Sequence, residues 1–224
     1  MLYANPLRRV LKRSAARIFF ALALVCCGSC HSNDWAHEEG VSFDKNKVYL
    51  ITRTTNSKPS AIAKFFNIKD TISSHIGIGI VRNGTIRIYH VIDARPKDKT
   101  DLQVHSLQEF LGMHPETPEV SYFSIWESKS EVPSAQLLES LKELSKRSIV
   151  FDYEFDLNNQ KFYCSELCAY ILNTAAEFDF QPRRKSLNGF FKDVLKRETL
   201  EYFPVDFFLE DSKFVKIYEE ETTR

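Results

Sequence analysis

The alternation of apolar and polar positions predicts a sheet that contains at least one tight hairpin. Residues 47–53 alternate and are rich in β-formers, so they predict a first strand. Residues 75–81 and 85–93 alternate in the same way and flank Asn83-Gly84, a dipeptide typical of two-residue hairpin turns. Two further strands are predicted over residues 120–126 and 214–218, and a short helix or loop over 60–66.

Apolar residues at helical spacing predict several helices around that sheet. Residues 106–112 begin with a capping box, Ser106 with Glu109, and end in glycine. Residues 134–147 present leucines on one face, residues 164–177 are led by apolar side chains at helical spacing, and residues 186–196 are predicted to be helical as well. No segment rich in Pro, Gly or Ser divides the body, so the pattern predicts one α+β domain with an antiparallel sheet packed with helices.

The first 29 residues differ in character from the rest of the chain. Residues 8–17 are basic, and residues 18–27 are an unbroken apolar run. Such a run is too short for a membrane-spanning helix, which needs about 20 residues, and matches the core of a signal peptide. Gly28 and Ser29 then precede Cys30, a pattern that looks like a bacterial lipoprotein signal with Cys30 as the lipidated residue. Cys26 is an alternative lipidation site, and an uncleaved N-terminal anchor is another interpretation.

This interpretation divides the chain into three parts. Residues 1–29 are a lipoprotein signal peptide, residues 30–44 a polar tether, and residues 45–224 the folded body. It places the body on the periplasmic side of a bacterial membrane, held there by an N-terminal lipid anchor.

Composition narrows the function classes. Aromatic residues make up 13% of the chain, enough for a core, which excludes a mainly disordered protein. Lys+Arg 30 balance Asp+Glu 30, and the signal holds five of the basic residues and no acid, so the rest carries 0 − 5 = −5. A nucleic-acid partner bound mainly through phosphates is therefore not expected. No metal-ligand spacing, phosphate-binding glycine loop or G-x-S-x-G motif occurs, so we expect no cofactor and no metal.

Two cysteines lie in the predicted body, Cys164 and Cys168. Four residues apart on a helix, their Cβ atoms are separated by roughly 5–6 Å. A disulfide needs about 3.8 Å, so the helix disfavours a bridge. Cys164 lies in the first helical turn, where free N–H groups lower a thiol pKa, which makes it the candidate nucleophile. The alternative is a buried structural thiol.

Histidine supplies the candidate general base. His75 begins a strand in which Gly77 and Gly79 share its face, and we expect the missing side chains to let the cysteine helix approach. His90, within the next strand, is the second candidate, and His105 and His114 are interpreted as loop residues. The alternative for His75 is a half-buried structural histidine.

Asp93 is the candidate third residue that orients His75, and the hairpin register decides whether it can do so. A two-residue turn pairs residues whose numbers sum to 167, which places Asp93 on the opposite face. A three-residue loop with Gly84 in the left-handed conformation gives a sum of 166 and places Asp93 diagonal to His75 on the same face. Both are compatible with the sequence. We favour the second, because the first leaves a carboxylate without a role on a covered sheet.

An acidic run lies a few residues before the candidate nucleophile: Asp152, Glu154 and Asp156. It has two interpretations, a solvated turn and a surface for a cationic group of the substrate.

The segments SSHIGIGI, HVIDA and FDYEFDLNNQKFYCSELCAYIL resemble the circularly permuted NlpC/P60 papain-like hydrolases, also called YiiX/YebB-like. In that group the histidine strand precedes the cysteine helix, as His75 precedes Cys164 here. The resemblance spans residues 47–218 and includes residues 204–206, which are similar to the closing segment of the family. Asp93 falls where the family places a third polar residue, often Glu or His, so Asp is a departure.

The resemblance implies a papain-like fold and thiol hydrolysis of an amide, commonly in cell-wall peptides. We therefore expect an exported cysteine hydrolase with Cys164 as nucleophile, His75 as base and Asp93 as orienting residue, acting on a peptidoglycan stem peptide. Related members act on lipid acyl groups, so a lipid ester or N-acyl amide is the second hypothesis. The third is a non-catalytic binding module that keeps the fold.

Overall fold

A computed structural model describes residues 41–93, 100–112, 120–176 and 178–221. Its strands are β1 Val48–Thr55, β2 His75–Arg82, β3 Thr85–Val91, β4 Leu102–His105, β5 Val120–Ser128, β6 Arg183–Ser186, β7 Thr199–Tyr202 and β8 Phe214–Glu221. The main feature is a six-stranded antiparallel sheet with the strand order β4-β3-β2-β1-β5-β8, and β6 pairs with β7 in a separate two-stranded sheet.

Helices occupy both faces of the main sheet, as the α+β prediction requires. They are α1 Lys58–Phe65, α2 Leu107–Gly112, α3 Ser134–Ser145, α4 Cys164–Ala175 and α5 Gly189–Leu195, with a short 3-10 helix at Phe207–Glu210. No helix in the described part of the chain is both long enough and apolar enough to cross a membrane.

Alternation along β2 gives the sheet two separate cores. On one face, Ile76, Ile78 and Ile80 pack with residues of α3 and α4, among them Leu137 and Leu167. On the other face, a second cluster joins β1 and β3 to α2, and includes Phe110. The cysteine helix α4 therefore covers the isoleucine face of β2.

The β2–β3 hairpin uses the two-residue register. Ile78 pairs with Tyr89 and Arg82 with Thr85, so paired numbers sum to 167. Asn83 and Gly84 both have positive φ, 52° and 79°, as a type I′ turn requires. The favoured three-residue loop is therefore wrong, since asparagine followed by glycine supplies both left-handed residues that the tighter turn needs.

Most predicted elements are present, with shifted ends. The capping box of α2 is confirmed: the Ser106 hydroxyl accepts from the Glu109 N–H at 3.1 Å, and the Glu109 carboxylate accepts from the Ser106 N–H at 2.7 Å. The sequence did not predict β4, which ends at His105, or the β6–β7 pair. The last residue of β6 is the residue at which the helix over 186–196 was predicted to begin, and that helix begins later, at Gly189. The predicted signal, Cys30, most of the tether and His114 lie outside the described residues.

Candidate active site

Cys164 is the first residue of α4, and the chain enters that helix in an extended conformation at Tyr163. The Glu166 side chain accepts a hydrogen bond from the Tyr163 N–H at 3.3 Å, which closes the first turn. Cys164 and Cys168 are both buried free thiols, so the predicted absence of a disulfide between them is confirmed. The thiol therefore lies where the sequence places it, at the helix N-terminus.

The Cys164 sulfur lies against the main chain at the start of β2. The backbone N–H of Ile76, the residue after His75, acts to lower the Cys164 pKa, and so do groups of Ser165. Burial is the larger effect and leaves the Cys164 pKa raised above its usual value. The expected lowering of this pKa is therefore wrong. The N–H groups act in the predicted direction, but removing the thiolate from water outweighs them.

Three histidines form a continuous hydrogen-bonded chain across three neighbouring strands. The Nε2 atom of His75 and the Nδ1 atom of His90 are 2.9 Å apart, and the Nε2 atom of His90 and the Nδ1 atom of His105 are also 2.9 Å apart. The Phe110 ring of α2 packs on the first two, with ring centroids 5.7 Å from His75 and 5.0 Å from His90. One ring nitrogen of His75 is thus held by His90.

A buried arginine completes this cluster. Arg53 of β1 pairs directly across the sheet from His75. Its guanidinium lies 4.6 Å from the Phe110 ring centre, donates a hydrogen bond to the Phe110 carbonyl, and leaves Nε without a partner. Burial lowers the pKa of Arg53 to about 10, while the charge of Cys164 acts to raise it. The side chain remains a cation at neutral pH.

The histidine chain is uncharged at neutral pH. Burial is the main cause that lowers the pKa of His75 well below its usual value, followed by the charges of Arg53 and His105. Burial also lowers the pKa of His90 and of His105. A neutral imidazole accepts a proton, so the electrostatic state of His75 suits a base.

Asp93 occupies a different position from the one expected. It lies two residues beyond the end of β3 and its side chain is exposed. In the observed register, the residue diagonal to His75 on its own face is His90, opposite Gly77. The alternation of β3 and the Asn83-Gly84 turn were sufficient to predict this pairing. The expectation that the register brings Asp93 beside His75 is therefore wrong.

The prediction that the two glycines of β2 let the cysteine helix approach is wrong. A Cβ atom at Gly77 would lie 2.5 Å from Ile88 Cγ2 and 3.3 Å from Phe110 Cε2. One at Gly79 would lie 2.6 Å from Ile51 Cδ1. These positions admit side chains of β1, β3 and α2, whereas the cysteine helix packs on the opposite face.

Two buried carboxylates hold the loops on either side of the site. Asp206, just before the 3-10 helix, accepts hydrogen bonds from the N–H groups of Ile68, Lys69 and Asp70, in the segment that leads into β2. Asp152 accepts from the N–H groups of Glu154 and Asp156, before α4. Both interpretations of the acidic run, a solvated turn and a surface for cations, are therefore wrong for its first residue, Asp152. That side chain is buried and organises the loop.

The described residues contain no group of three or more His, Cys, Asp or Glu side chains arranged to hold a metal ion. The histidines pair nitrogen to nitrogen and do not converge on one point. A cavity of about 350 Å³ lies elsewhere, between residues 155–158 and the β6–β7 pair, where Arg184 and Arg197 contribute to its wall.

Comparison with known proteins supports the fold. No family model matches the chain. No curated protein matches it either. Among solved structures, the crystal structure of the metalloprotein YiiX from Escherichia coli O157:H7 is similar, with a TM-score of 0.54 and 14% sequence identity. The match covers 80% of this chain and 100% of that one. The chain thus shares the YiiX-like α+β fold.

Proposed function

We propose that the chain is an exported, lipid-anchored cysteine hydrolase of the permuted NlpC/P60 type, which cleaves an amide bond in a peptidoglycan stem peptide. Cys164 is the nucleophile, His75 the base, and His90 takes the orienting role expected of Asp93. The observation that best supports the proposal is that the backbone N–H of Ile76, the residue after His75, acts on the sulfur at the start of α4, while His90 holds the His75 ring at 2.9 Å.

The tautomers follow from the histidine chain. If His75 donates its Nε2–H to His90 Nδ1, then His90 donates its Nε2–H to His105 Nδ1, and the Nδ1 atom of His75 is left without a proton. In this proposal, the Nδ1 atom of His75 takes the thiol proton. His90 acts here as a positioning residue, and His105 fixes the tautomer of His90.

The reaction proceeds by acyl transfer to sulfur. The Cys164 sulfur attacks the carbonyl carbon while its proton passes to His75, and the N–H of Cys164 helps to bind the oxyanion. The C–N bond breaks as His75 returns the proton to the leaving amine, which leaves a thioester. Water then attacks the thioester, giving up a proton to His75, and a carboxylic acid leaves as the thiol is restored.

Because burial raises the Cys164 pKa, the thiol is protonated before substrate binds. The site therefore works by general-base catalysis, in which the thiol loses its proton as it attacks, and not through a preformed thiolate. Slow labelling by thiol reagents at neutral pH is consequently expected of the hydrolase as well, so turnover is the criterion that separates it from a binding module.

A lipid ester or N-acyl amide is the second candidate substrate, favoured by the exposed apolar side chains of α1, beside the start of β2. Product analysis by mass spectrometry separates the candidates. The purified chain is incubated with stem peptides and, separately, with membrane lipids. A new amine and carboxylate pair from the peptide supports the proposal. Released fatty acid supports the lipid candidate, and unchanged substrates in both arms favour a binding module.

A further inference from the structure

Helices α1 and α5 expose large apolar side chains that no described part of the chain covers. Ile62 and Phe65 of α1 are 44% and 54% exposed, and Phe190 and Val194 of α5 are 66% and 56% exposed. α5 contains no buried residue, so its apolar positions contribute little to the core. Exposed apolar groups of this size mark interaction surfaces when they are contiguous.

Ring contacts make these side chains one surface. The Phe65 and Phe191 rings stack with centroids 5.2 Å apart, and Phe190 and Phe191 contact edge to face at 5.6 Å. Ile62 lies three residues before Phe65, and Val194 lies four residues after Phe190, so each shares the exposed side of its helix. We call Ile62, Phe65, Phe190 and Val194 the α1–α5 face.

One basic side chain contacts the α1–α5 face, and basic residues are frequent in the segments that contain its two helices. Lys185 donates a hydrogen bond to the Phe65 carbonyl at 2.9 Å, and its Nζ lies 4.1 Å from the centre of the Phe65 ring. Residues 58–69 contain three lysines and no acid, and residues 183–197 contain six basic residues and one acid. Two of those six are paired with carboxylates, Arg183 with Glu210 and Lys192 with Glu198. The surplus is local, because the chain beyond residue 29 carries a formal charge of −5.

We propose that the α1–α5 face docks on a lipid bilayer and that Lys185 and the basic residues of the segments that contain α1 and α5 bind anionic headgroups. Aromatic and aliphatic side chains flanked by lysines are the composition of interfacial helices, whose apolar face enters the boundary between headgroups and acyl chains. Lysine and arginine side chains near an anionic membrane surface strengthen binding to it. An acidic protein surface or a second copy of this chain is the competing occupant.

Docking at this face has a consequence for the candidate active site. The Ser60 hydroxyl of α1 donates a hydrogen bond to Ser74 Oγ at 2.6 Å, and both residues are buried. Ser74 immediately precedes His75, so α1 is fixed to the residue before the first residue of β2. A docked α1 therefore holds that end of the sheet next to the membrane surface.

Tryptophan fluorescence in the full chain tests the proposal. Phe190→Trp places a probe on the α1–α5 face, and Val215→Trp, on the exposed edge strand β8, is the matched control. Each variant is reconstituted in vesicles of phosphatidylcholine, with and without phosphatidylglycerol, whose acyl chains are brominated. The signal of Trp35 and Trp126 is subtracted by measuring the unaltered chain in the same vesicles.

We expect the Phe190→Trp probe to be quenched at least about twofold more than the control, with a blue-shifted emission, in vesicles that contain phosphatidylglycerol. Adding Lys58→Gln and Lys196→Gln should reduce that quenching. Equal quenching of the two probes overturns the proposal. So does quenching that changes neither when phosphatidylglycerol is added nor when the two lysines are replaced. A blue shift that depends on protein concentration and arises without vesicles assigns the face to self-association and also overturns it.

Discussion

The Nε2 atom of His75 lies 2.9 Å from the Nδ1 atom of His90, across a hairpin whose two-residue turn places these residues on one face of the sheet. The contact depends on Asn83 and Gly84, since one more residue in the loop would move His90 to the other face. A turn on the far side of the hairpin thus determines which group orients the candidate base.

Replacing His90 should impair catalysis without preventing substrate binding. His90→Ala removes the group that holds His75, and we expect kcat to fall about 100-fold with little change in KM. Steady-state kinetics on the cleaved substrate measures both. Asp93→Ala is the control, and we expect it to retain most of the activity. A His90→Ala enzyme with unchanged kcat, or a larger loss in Asp93→Ala, would show that the orienting group is misassigned.

Removing the charge of Arg53 should shift the acidic limb of the pH–rate profile. The cation lowers the pKa of His75 and of His90, so Arg53→Met raises both pKa values and the base becomes protonated at higher pH. We expect kcat/KM to begin its acidic decline at a higher pH in Arg53→Met than in the parent, and Arg53→Lys to restore the parent profile. Identical profiles for all three proteins would contradict the electrostatic role.

Stability should fall as pH rises through the range in which Glu166 ionises. Burial raises the pKa of Glu166 to about 8 in the folded protein, from 4.5 as a reference. Between these values the folded state binds more protons than the unfolded state, so stability decreases with increasing pH. Glu166→Gln keeps an acceptor for the Tyr163 N–H but cannot ionise.

Thermal melts at several pH values check this. The Tm of Glu166→Gln relative to the parent should increase between pH 5 and pH 9, roughly the range spanned by the two pKa values. A difference in Tm that is constant across that range would show that the carboxyl is not protonated in the fold.

Gly77→Ala should destabilise the fold, because the added methyl group meets Ile88 at 2.5 Å. Overpacking of this kind costs about 1–3 kcal/mol of the free energy of unfolding. Gly112→Ala is the control, since the nearest atom to its Cβ is Gln108 Cγ at 3.9 Å. Urea denaturation compares the two. Equal stability of Gly77→Ala and the parent would mean that β2 and β3 can separate at no cost.

Periodicity predicted much of the fold because most of the longer elements bury one face. The strands over 48–55, 75–82 and 120–128 and the helix that begins at Cys164 follow directly from their apolar patterns. The four-residue strands β4, β6 and β7 are too short to show a period, and their pairing depends on tertiary contacts. His105 was interpreted as a loop residue for this reason.

The candidate site was predicted in part. Local sequence placed Cys164 at a helix start and His75 at a strand start. Arg53 was not identified from the sequence. An arginine within an alternating apolar strand becomes significant only through its pairing with His75 in the neighbouring strand, and one segment alone does not show how two strands pair. The direction of the Cys164 pKa shift was wrong for a similar reason, because local N–H groups are visible in the sequence and burial is not.

Loss of turnover in Cys164→Ala, with Cys168→Ala as the matched control, tests the central claim most directly. Both variants remove one buried sulfur from α4, but only Cys164 lies at the helix start beside Ile76. The account predicts that Cys164→Ala lowers kcat by at least about 10³-fold with the fold intact by circular dichroism, while Cys168→Ala stays active. Full hydrolysis by Cys164→Ala would contradict it.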